Sequence, residues 1–488
     1  MTDSQPSDLL AERREKLERL RQAGVEPFPH GFEGREEIAD VTSTHQGLEA
    51  GQETDRVHRV AGRITGRRGH GKAAFLDVRD SGGTIQLLMK ADVLDPKQFE
   101  LLDELDLGDF IGVEGRAIAT RRGELSLEAS GWELLAKSLR PPPDKFHGLE
   151  DTETRYRRRE LDLIANEETR RIFQVRARTV SSIRRWLDDR GFAEVETPVL
   201  QPLYGGALAR PFTTHHNALD REFYLRIATE LYLKRCVVGG IEKVYELGKD
   251  FRNEGISPKH NPEFTMLEWY EAYADYEKTA ADLEVLVSDV AEAVLGTTRA
   301  GREGQEVDLS PPWKRITLRE AIQAESGIDI ESETTREGLA AAMGVELEDG
   351  VGWGKLVDSL FSKEVEPKLV EPTFVTDYPV ELSPFAKAHR TRPGVVERWE
   401  AFVGGVEIAN SFTELNDPDE QRRRFEQQAA ELAGGDEEAQ PYDESFIEAL
   451  EQGMPPTGGV GLGIDRLVMT LAGTSSLREV VLFPAMRD

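Results

Sequence analysis

One stretch runs Val244-Tyr-Glu-Leu-Gly-Lys-Asp-Phe-Arg-Asn-Glu-Gly255 and resumes at Lys259-His-Asn-Pro-Glu-Phe-Thr-Met-Leu-Glu-Trp-Tyr270. Read as two antiparallel strands joined by a loop, it sends successive side chains to opposite faces. Asp250, Arg252 and Glu254 then share one face of the first strand. Phe264, Met266, Glu268 and Tyr270 share one face of the second. An arginine, an aromatic ring, a carboxylate and a phenol gathered this way suit a nucleotide. Arg252 can hold an α-phosphate, His260 in the loop can reach the outer phosphates, and Phe264 can stack on a base. The plainer reading, a surface hairpin with a mixed polar face, is disfavoured by the density of functional groups.

Two later stretches add to this chemistry. In Gly458-Gly-Val-Gly-Leu-Gly-Ile-Asp-Arg466 the glycines allow close backbone approach. Asp465 is placed to cap a helix beginning at Arg466, whose charge would add to the positive helix end and suit polyphosphate. Glycine-rich strands also arise from tight helix–sheet packing, so this signal is weak alone. In Glu400-Ala-Phe-Val-Gly-Gly-Val-Glu407-Ile-Ala-Asn-Ser-Phe-Thr-Glu414, Glu400 and Glu407 are an oxygen-donor pair for Mg²⁺, with substrate phosphates completing the shell. Asn410, Phe412 and Glu414 share strand parity. Glu407 has the opposite parity, so one regular strand cannot aim Glu407 and Glu414 into one pocket.

The elements that must position these groups follow from pattern. Ser7 to Gly24 reads as an amphipathic helix with Ser7 as N-cap and Gly24 at its end. Runs at 58–64, 74–78, 84–88, 110–113 and 124–127, with a helical stretch near 96–105, suggest a small OB-type barrel. Arg140-Pro-Pro-Pro143 reads as a stiff linker. Beyond it the chain is mixed: Glu168 to Asp189 helical, Gly191 to Leu200 extended, and about 296–366 charged helices without recognisable chemistry. Neither a Walker A sequence nor a dinucleotide fingerprint is present, so a nucleotide must be held otherwise. The expected division is 1–145, helix plus barrel, and 146–488, an α+β catalytic domain.

The chain has 488 residues, with 91 acidic against 61 basic residues and a net charge of −30. That sum argues against a nucleic-acid partner, but the distribution is uneven. Arg56, Arg59, Arg63, Arg67, Arg68 and Lys72 follow one another without an acid, and Arg155, Arg157, Arg158 and Arg159 cluster after the prolines. Such strips could track phosphates, although a charge run is more often just a solvated face, so they only permit an RNA partner. Cys236 stands alone, which excludes a disulfide framework and a cysteine zinc site within one chain. No apolar run is long enough to span a bilayer, and no leader is evident; the expectation is a cytoplasmic enzyme.

Together these stretches resemble the three signature motifs of class II aminoacyl-tRNA synthetases. Gly191-Phe-Ala-Glu-Val-Glu-Thr-Pro198 is similar to motif 1, Phe251-Arg-Asn-Glu254 through Glu268 to motif 2, and Gly461-Leu-Gly-Ile-Asp-Arg466 to motif 3. Gly205-Gly-Ala-Leu-Ala-Arg-Pro-Phe212, Thr214-His-His-Asn-Ala-Leu-Asp220, Glu230-Leu-Tyr-Leu-Lys-Arg235 and His260-Asn-Pro-Glu-Phe-Thr-Met266 resemble the lysyl-specific branch. So do Arg13-Arg-Glu-Lys-Leu17 and Pro143-Asp-Lys-Phe-His-Gly-Leu149. Thr229 and Ser411 depart from the branch pattern of a proline and a glycine at those places.

The resemblance implies an antiparallel catalytic sheet of six or more strands, an anticodon-reading barrel, and a homodimer through motif 1. It implies ATP held by Arg252, Glu254, His260, Phe264, Glu407 and Arg466, with Arg252 and Arg466 catalytic and Mg²⁺ on Glu400 and Glu407. L-lysine would lie among Gly206, Glu230, Glu268, Tyr270, Asn410 and Glu414, its ε-ammonium towards Tyr270 and Glu414. Phe75, Gln86 and Glu124 would hold the central anticodon base of tRNA(Lys). Three other readings are weighed against this one. An aspartyl or asparaginyl enzyme would need cations where Glu414 and Tyr270 stand. A ligase that lysylates protein would lack the barrel. A non-catalytic tRNA-binding relative would have lost Arg252, Arg466, Glu400 or Glu407.

Overall fold

The computed structural model describes residues 6–143, 149–302, 304–347, 351–433 and 439–487. The chain divides into two units, Met1–Leu149 and Glu150–Asp488. The boundary expected between 145 and 146, and most of the 143–149 string, lie outside the described residues.

In the first unit, β1 (Glu53–His70), β2 (Ala73–Arg79), β3 (Thr84–Lys90), β4 (Phe110–Ala119) and β5 (Leu125–Ala136) close a barrel in the order β1-β2-β3-β5-β4. The strands outrun the short alternating stretches that announced them. The 18-residue β1 pairs with β4 along its first part and with β2 along its second, and a bulge between Ile64 and Gly66 bends it from one partner to the other. Val60, Ile64, Leu76, Val78, Leu87, Ile111 and Leu127 fill the interior. The leading helix spans Pro6–Gln22, so Ser7 lies inside its first turn and is not the N-cap; Leu17 and Leu20 are its buried apolar residues. The helix expected near 96–105 is Pro96–Glu100 followed by a 3₁₀ turn at Leu101–Glu104.

The second unit contains β6 (Ala193–Glu194), β7 (Leu200–Gln201), β8 (Thr213–His216), β9 (Arg221–Leu225), β10 (Lys243–Phe251), β11 (Glu263–Ala272), β12 (Arg299–Arg302), β13 (Gln305–Asp308), β14 (Lys314–Thr317), β15 (Thr373–Thr376), β16 (Arg398–Val403), β17 (Val406–Thr413) and β18 (Thr457–Gly463). Eight of them form one sheet in the order β14-β15-β16-β17-β18-β11-β10-β6, antiparallel except at its two outer pairs. Of the stretch 191–200, expected to be extended throughout, only β6 and the first residue of β7 are strand. The region 296–366 is more than charged helices. It supplies the hairpin β12-β13, the edge strand β14, and helices Leu318–Ser326, Arg336–Met343 and Trp353–Glu364 packed into a core of their own.

Period-two alternation divides the sheet's labour. Leu267 and Trp269 of β11, with Val460 and Leu462 of β18, face a core shared with helices Glu167–Asp188 and Tyr276–Leu295. The residues between them face the other way, into the cavity described below.

Most of the arginines in the basic strips are paired with acids of the same unit, whereas Arg63 bonds the Gly108 carbonyl and Lys72 is exposed. Arg159 is fully buried, bonded to Asp162 and to the carbonyls of Arg478, Val481 and Leu482, while Arg155 pairs with Asp162 and Glu479. Arg157 and Arg158 pair with Glu153 and Glu160. On the barrel, Arg56, Arg59, Arg67 and Arg68 pair with Glu36, Glu133, Asp103 and Asp77. Glu153, Glu160 and Asp162 lie within four residues of an arginine they pair with, whereas Glu479, Glu133 and Asp103 come from distant segments, so counting a linear charge run overstated the free positive charge.

Candidate active site

Directly opposed residues on neighbouring strands project to the same face, so the pairing register lays side chains out in rows across the sheet. One row runs Glu246, Glu268, Gly461, Asn410, Glu400 over β10, β11, β18, β17 and β16. The next runs Val244, Tyr270, Gly459, Phe412, Arg398. Apart from Glu246 and Val244 on β10, the residues of these rows floor a cavity of about 420 Å³. Every candidate named in this unit lines it: Gly206, Glu230, Arg252, Glu254, His260, Phe264, Glu268, Tyr270, Glu400, Glu407, Asn410, Glu414 and Arg466.

The glycine-rich strand is thereby explained. On β18 Val460 and Leu462 face the core, whereas Gly459, Gly461 and Gly463 face the cavity. A Cβ on Gly459 would lie 2.1 Å from a Glu414 oxygen and 2.4 Å from the Tyr270 ring, so any side chain there would fill the floor. The parity conflict between Glu407 and Glu414 is explained too. β17 carries a bulge against β16, with Ala401 opposite Ala409 but Phe402 opposite Glu407. The extra residue, Ile408, shifts Glu407 into phase with Asn410.

At one end of the cavity three carboxylates are buried together. Glu268 accepts from the Thr229 amide at 3.1 Å and from the Tyr270 hydroxyl at 3.0 Å. Burial, then repulsion from Asp250 and Glu230, pushes it up to about 8. Glu414 is likewise pushed up to about 8 by burial, despite a buried ammonium beside it. That ammonium is Lys234, 2.6 Å from Glu230 Oε1 and 2.6 Å from Glu414 Oε2. Among the described residues Lys234 is the one ion-pair partner of Glu414. Beyond the Lys234 ammonium the buried carboxylate has room for a further donor, which a ligand can supply. Gly206 sits above them at φ +91°, where its missing Cβ keeps clear of Ala228 and Glu230. Its amide donates to Gln440 Oε1 at 3.0 Å, and Gln440 Nε2 donates to the Ala207 carbonyl.

The other end is cationic. Arg252 follows the end of β10 and is anchored by its amide to the Pro262 carbonyl at 2.9 Å, its guanidinium 5.1 Å from the Phe264 ring. Among the described residues it has no ion-pair partner and its buried Nε no acceptor, so its charge is available to an anion. β10 ends at Phe251, so strand parity does not extend to Glu254, which lines the cavity from an irregular segment. Arg466 Nη1 donates to the Glu407 carbonyl and carboxylate, both at 2.8 Å. The helix carrying it spans Ile464–Ala472 with Gly463 as N-cap, so Asp465 does not cap a helix starting at Arg466. Asp465 instead accepts from the Thr265 amide at 2.9 Å and from Arg176, which ties this helix to β11 and to helix Glu167–Asp188. His260 is held in its loop by Ser257 at 3.0 Å; partial desolvation, then the Arg466 charge, keeps it below the usual imidazole range. On the third wall, burial and then repulsion from Glu407 raise Glu400 to about 7, against the Arg398 cation and the Tyr378 hydroxyl it accepts from.

A deep anionic end and a cationic, aromatic-lined mouth on a mainly antiparallel sheet can hold a cationic amino acid against a nucleotide phosphate. The comparisons agree. The family described as "tRNA synthetases class II (D, K and N)" matches residues 151–487. This chain belongs to the class II tRNA synthetases. The family "OB-fold nucleic acid binding domain" matches residues 58–135. Among curated relatives, the Lysine--tRNA ligase of Moorella thermoacetica is 52% identical over 484 residues, 99% of this chain and 98% of that one. The Lysine--tRNA ligase of Synechococcus sp. (strain CC9311) is 52% identical over 487 residues, 99% of each chain. That of Carboxydothermus hydrogenoformans is 49% identical over 490 residues, 100% of this chain and 99% of that one.

Within this synthetase the two departures from the branch pattern have local explanations. Ser411 shares a buried 2.8 Å hydrogen bond with Thr279, behind the sheet from the cavity. Thr229 precedes helix Glu230–Val238 and gives its amide to Glu268, a donor that a proline would lack. Sequence reading missed Lys234, Gln440 and Arg398 as contributors to the site. Lys234 was within reach, since it follows Glu230 by one helical turn. Gln440 meets Gly206 across 234 residues and left no local signal. On the synthetase's barrel, Gln86 lies opposite Asp77 and Ser126, and Phe75 shares their outward face. Gln86 is buried and accepts from the Ser126 hydroxyl at 3.0 Å, Phe75 is half-exposed, and Glu124 lies just before β5 in solvent.

Proposed function

We propose that this synthetase is a lysine–tRNA ligase: it activates L-lysine with ATP and passes it to the 3′ end of tRNA(Lys). The observation that carries the reading is the charge of the deep pocket. Glu230, Glu268 and Glu414 suit an ammonium, whereas an aspartate or asparagine side chain would meet repulsion or an unpaired carboxylate there. The substrate's α-amine is assigned to Glu230, Glu268 and the Gly206 loop, its carboxylate to Arg252 and Asn410, and its ε-ammonium to Glu414 with the Tyr270 oxygen as acceptor. Adenine is assigned to the space between Phe264 and Arg466, with Glu254 at its edge, and the outer phosphates to His260 and Arg466.

The lysine carboxylate attacks the α-phosphorus, the bond to the β-phosphate oxygen breaks, and pyrophosphate leaves. The terminal tRNA hydroxyl then attacks the mixed anhydride's carbonyl and AMP leaves. No protein nucleophile is required; the chain positions the two substrates and neutralises phosphate charge with Arg252 and Arg466. Glu400 and Glu407 would hold Mg²⁺. They are an all-oxygen pair on the phosphate side whose mutual repulsion favours a divalent cation, and when bound the ion screens the polyphosphate.

Anticodon contact is assigned to the barrel face carrying Phe75, Gln86 and Glu124. A homodimer through the motif 1 region is supported by exposed Val199 and Leu200, which follow it directly. No helix among the described residues is long and apolar enough to cross a membrane, and a cytoplasmic location accords with a role in translation. The domain division near residue 145 belongs to the same reading. The test is ATP–pyrophosphate exchange with each of the twenty amino acids. Exchange with lysine alone is expected; exchange driven by aspartate or asparagine, or by none, would overturn the assignment.

A further inference from the structure

Helix Glu230–Val238 places Lys234 one turn beyond Glu230, and its side chain is completely shielded from solvent. It does not line the cavity. It lies behind two residues that do, reaching Glu230 and Glu414 at the same 2.6 Å, with its ammonium 5.2 Å from the Phe385 ring centre. The groups facing this cluster are Glu230 on the same helix, Glu414 after β17, Glu268 and Tyr270 on β11, Asp250 on β10 behind Glu268, and Arg398 on β16. Arg398 is committed to Asn410, Glu400 and the Leu382 carbonyl, and Arg226 pairs with Asp250. Among the described residues Lys234 is therefore the one cation in contact with Glu230 and Glu414.

The charges then count in an informative way. Glu230, Glu268 and Glu414 carry three negative charges when ionised, and Lys234 offsets one. The two that remain match the α-ammonium and ε-ammonium of a bound lysine, whose carboxylate goes to Arg252. Resting on the lysine-site reading above, we propose that Lys234 is a positioning residue of that site: a resident ammonium that holds Glu230 and Glu414 apart at fixed places and sets the pocket's deficit at two positive charges. Without it, Glu230 and Glu414 would face each other across a dry gap, and one would keep its proton until more alkaline pH. Burial opposes the charge of Lys234, and its two carboxylates more than offset this, keeping it protonated through the neutral range.

The experiment uses the full-length chain in ATP–pyrophosphate exchange, with KM for lysine and for ATP measured separately between pH 6.5 and 9. Lys234→Met keeps the length of the stem and removes the charge. It should raise the lysine KM at pH 7 by about tenfold or more, with the ATP KM little changed. The pH at which kcat/KM for lysine levels off should move up by about one unit, which is the same tenfold expressed as a pKa shift. Lys234→Arg keeps the charge and should keep the wild-type pH profile while raising the lysine KM. A Lys234→Met protein with the wild-type pH profile would make Lys234 a packing residue and overturn the proposal. So would a Lys234→Arg protein whose profile moves, and that variant decides if Lys234→Met is not recovered folded. A wild-type chain lacking lysine-dependent exchange would instead overturn the lysine site itself.

Discussion

On the barrel, Arg68 and Asp77 pair at 2.8 Å with more than half of the arginine side chain in water, and Phe75 lies half-buried on the same outward face. In the catalytic pocket, Glu414 and Lys234 meet at 2.6 Å with neither side chain exposed at all. The two surfaces share a design, polar residues on one face of a β-sheet, but not an energetic regime. An exposed pair contributes little, because water and salt replace whatever a partner gives up. A buried carboxylate keeps much of its desolvation cost until enough cationic charge is beside it, so a pocket holding more carboxylates than cations would select by charge. Several barrel arginines are already paired, so that face would select mainly by stacking and base edges.

The comparison breaks most visibly if charge is removed from the pocket without changing shape. Glu414→Gln should weaken lysine binding by about 2–5 kcal/mol, the range for breaking a buried charge pair, and leave the ATP KM near wild type. Steady-state exchange kinetics decide it; a raised ATP KM with an unchanged lysine KM would move Glu414 to the nucleotide side. The barrel counterpart is Phe75→Ala, expected to cost about 1–3 kcal/mol in tRNA binding through lost stacking. Lysine-dependent exchange should be untouched, and an equal loss in both assays would make Phe75 a folding residue.

A smaller effect sharpens the pocket side. Glu268 and Glu414 hold their protons more tightly in the folded chain, near pH 8, than the usual value of 4.5 for an unfolded glutamate. The folded state then binds more protons than the unfolded one between those values, so these two groups make stability fall as pH rises from about 4.5 to about 8. Lysine supplies the missing cations, so the thermal shift it produces should grow from pH 6 to pH 8.5. A shift that shrinks over that range would show the carboxyls to be ionised already. The smallest effect concerns the surface. With a net charge of −30 and 16 Lys among 61 basic residues, self-repulsion in dilute buffer should be screened by salt, and the melting temperature should rise by a few degrees towards molar KCl. A flat or falling curve would show that paired surface arginines already absorb that repulsion.

Much of the site was legible because strand alternation is a local property. Phe264, Met266, Glu268 and Tyr270 share a face for the reason their spacing suggested, and Gly459 and Gly461 face them because the apolar residues between go to the core. The barrel was legible as alternating runs broken by glycine, although the bulge that lets β1 serve two partners was not. Reading failed where an outcome depended on a distant partner. Arg159 looked like a phosphate contact until Asp162 and three carbonyls near the C-terminus took its hydrogen bonds. Asp465 looked like a helix cap, and it is spent on Thr265 and Arg176.

The sequence alone determined the inventory: a barrel with an outward aromatic, a hairpin bearing Arg252 and Phe264, a carboxylate pair, a glycine strand ending in Arg466, and the periodicity that turns each side chain one way or the other. Only the tertiary structure decided that β18 inserts between β11 and β17, so that Glu268 and Asn410 face one cavity across a glycine, and that an extra residue at Ile408 swings Glu407 into it. It also decided that Lys234 turns inward to Glu414 and that Gln440 pins the Gly206 loop. Alternation is set by the backbone of each residue and its neighbours. Strand order, register and the pairing of buried charges are set by which distant segments exclude water together, and that choice is made by the whole core at once.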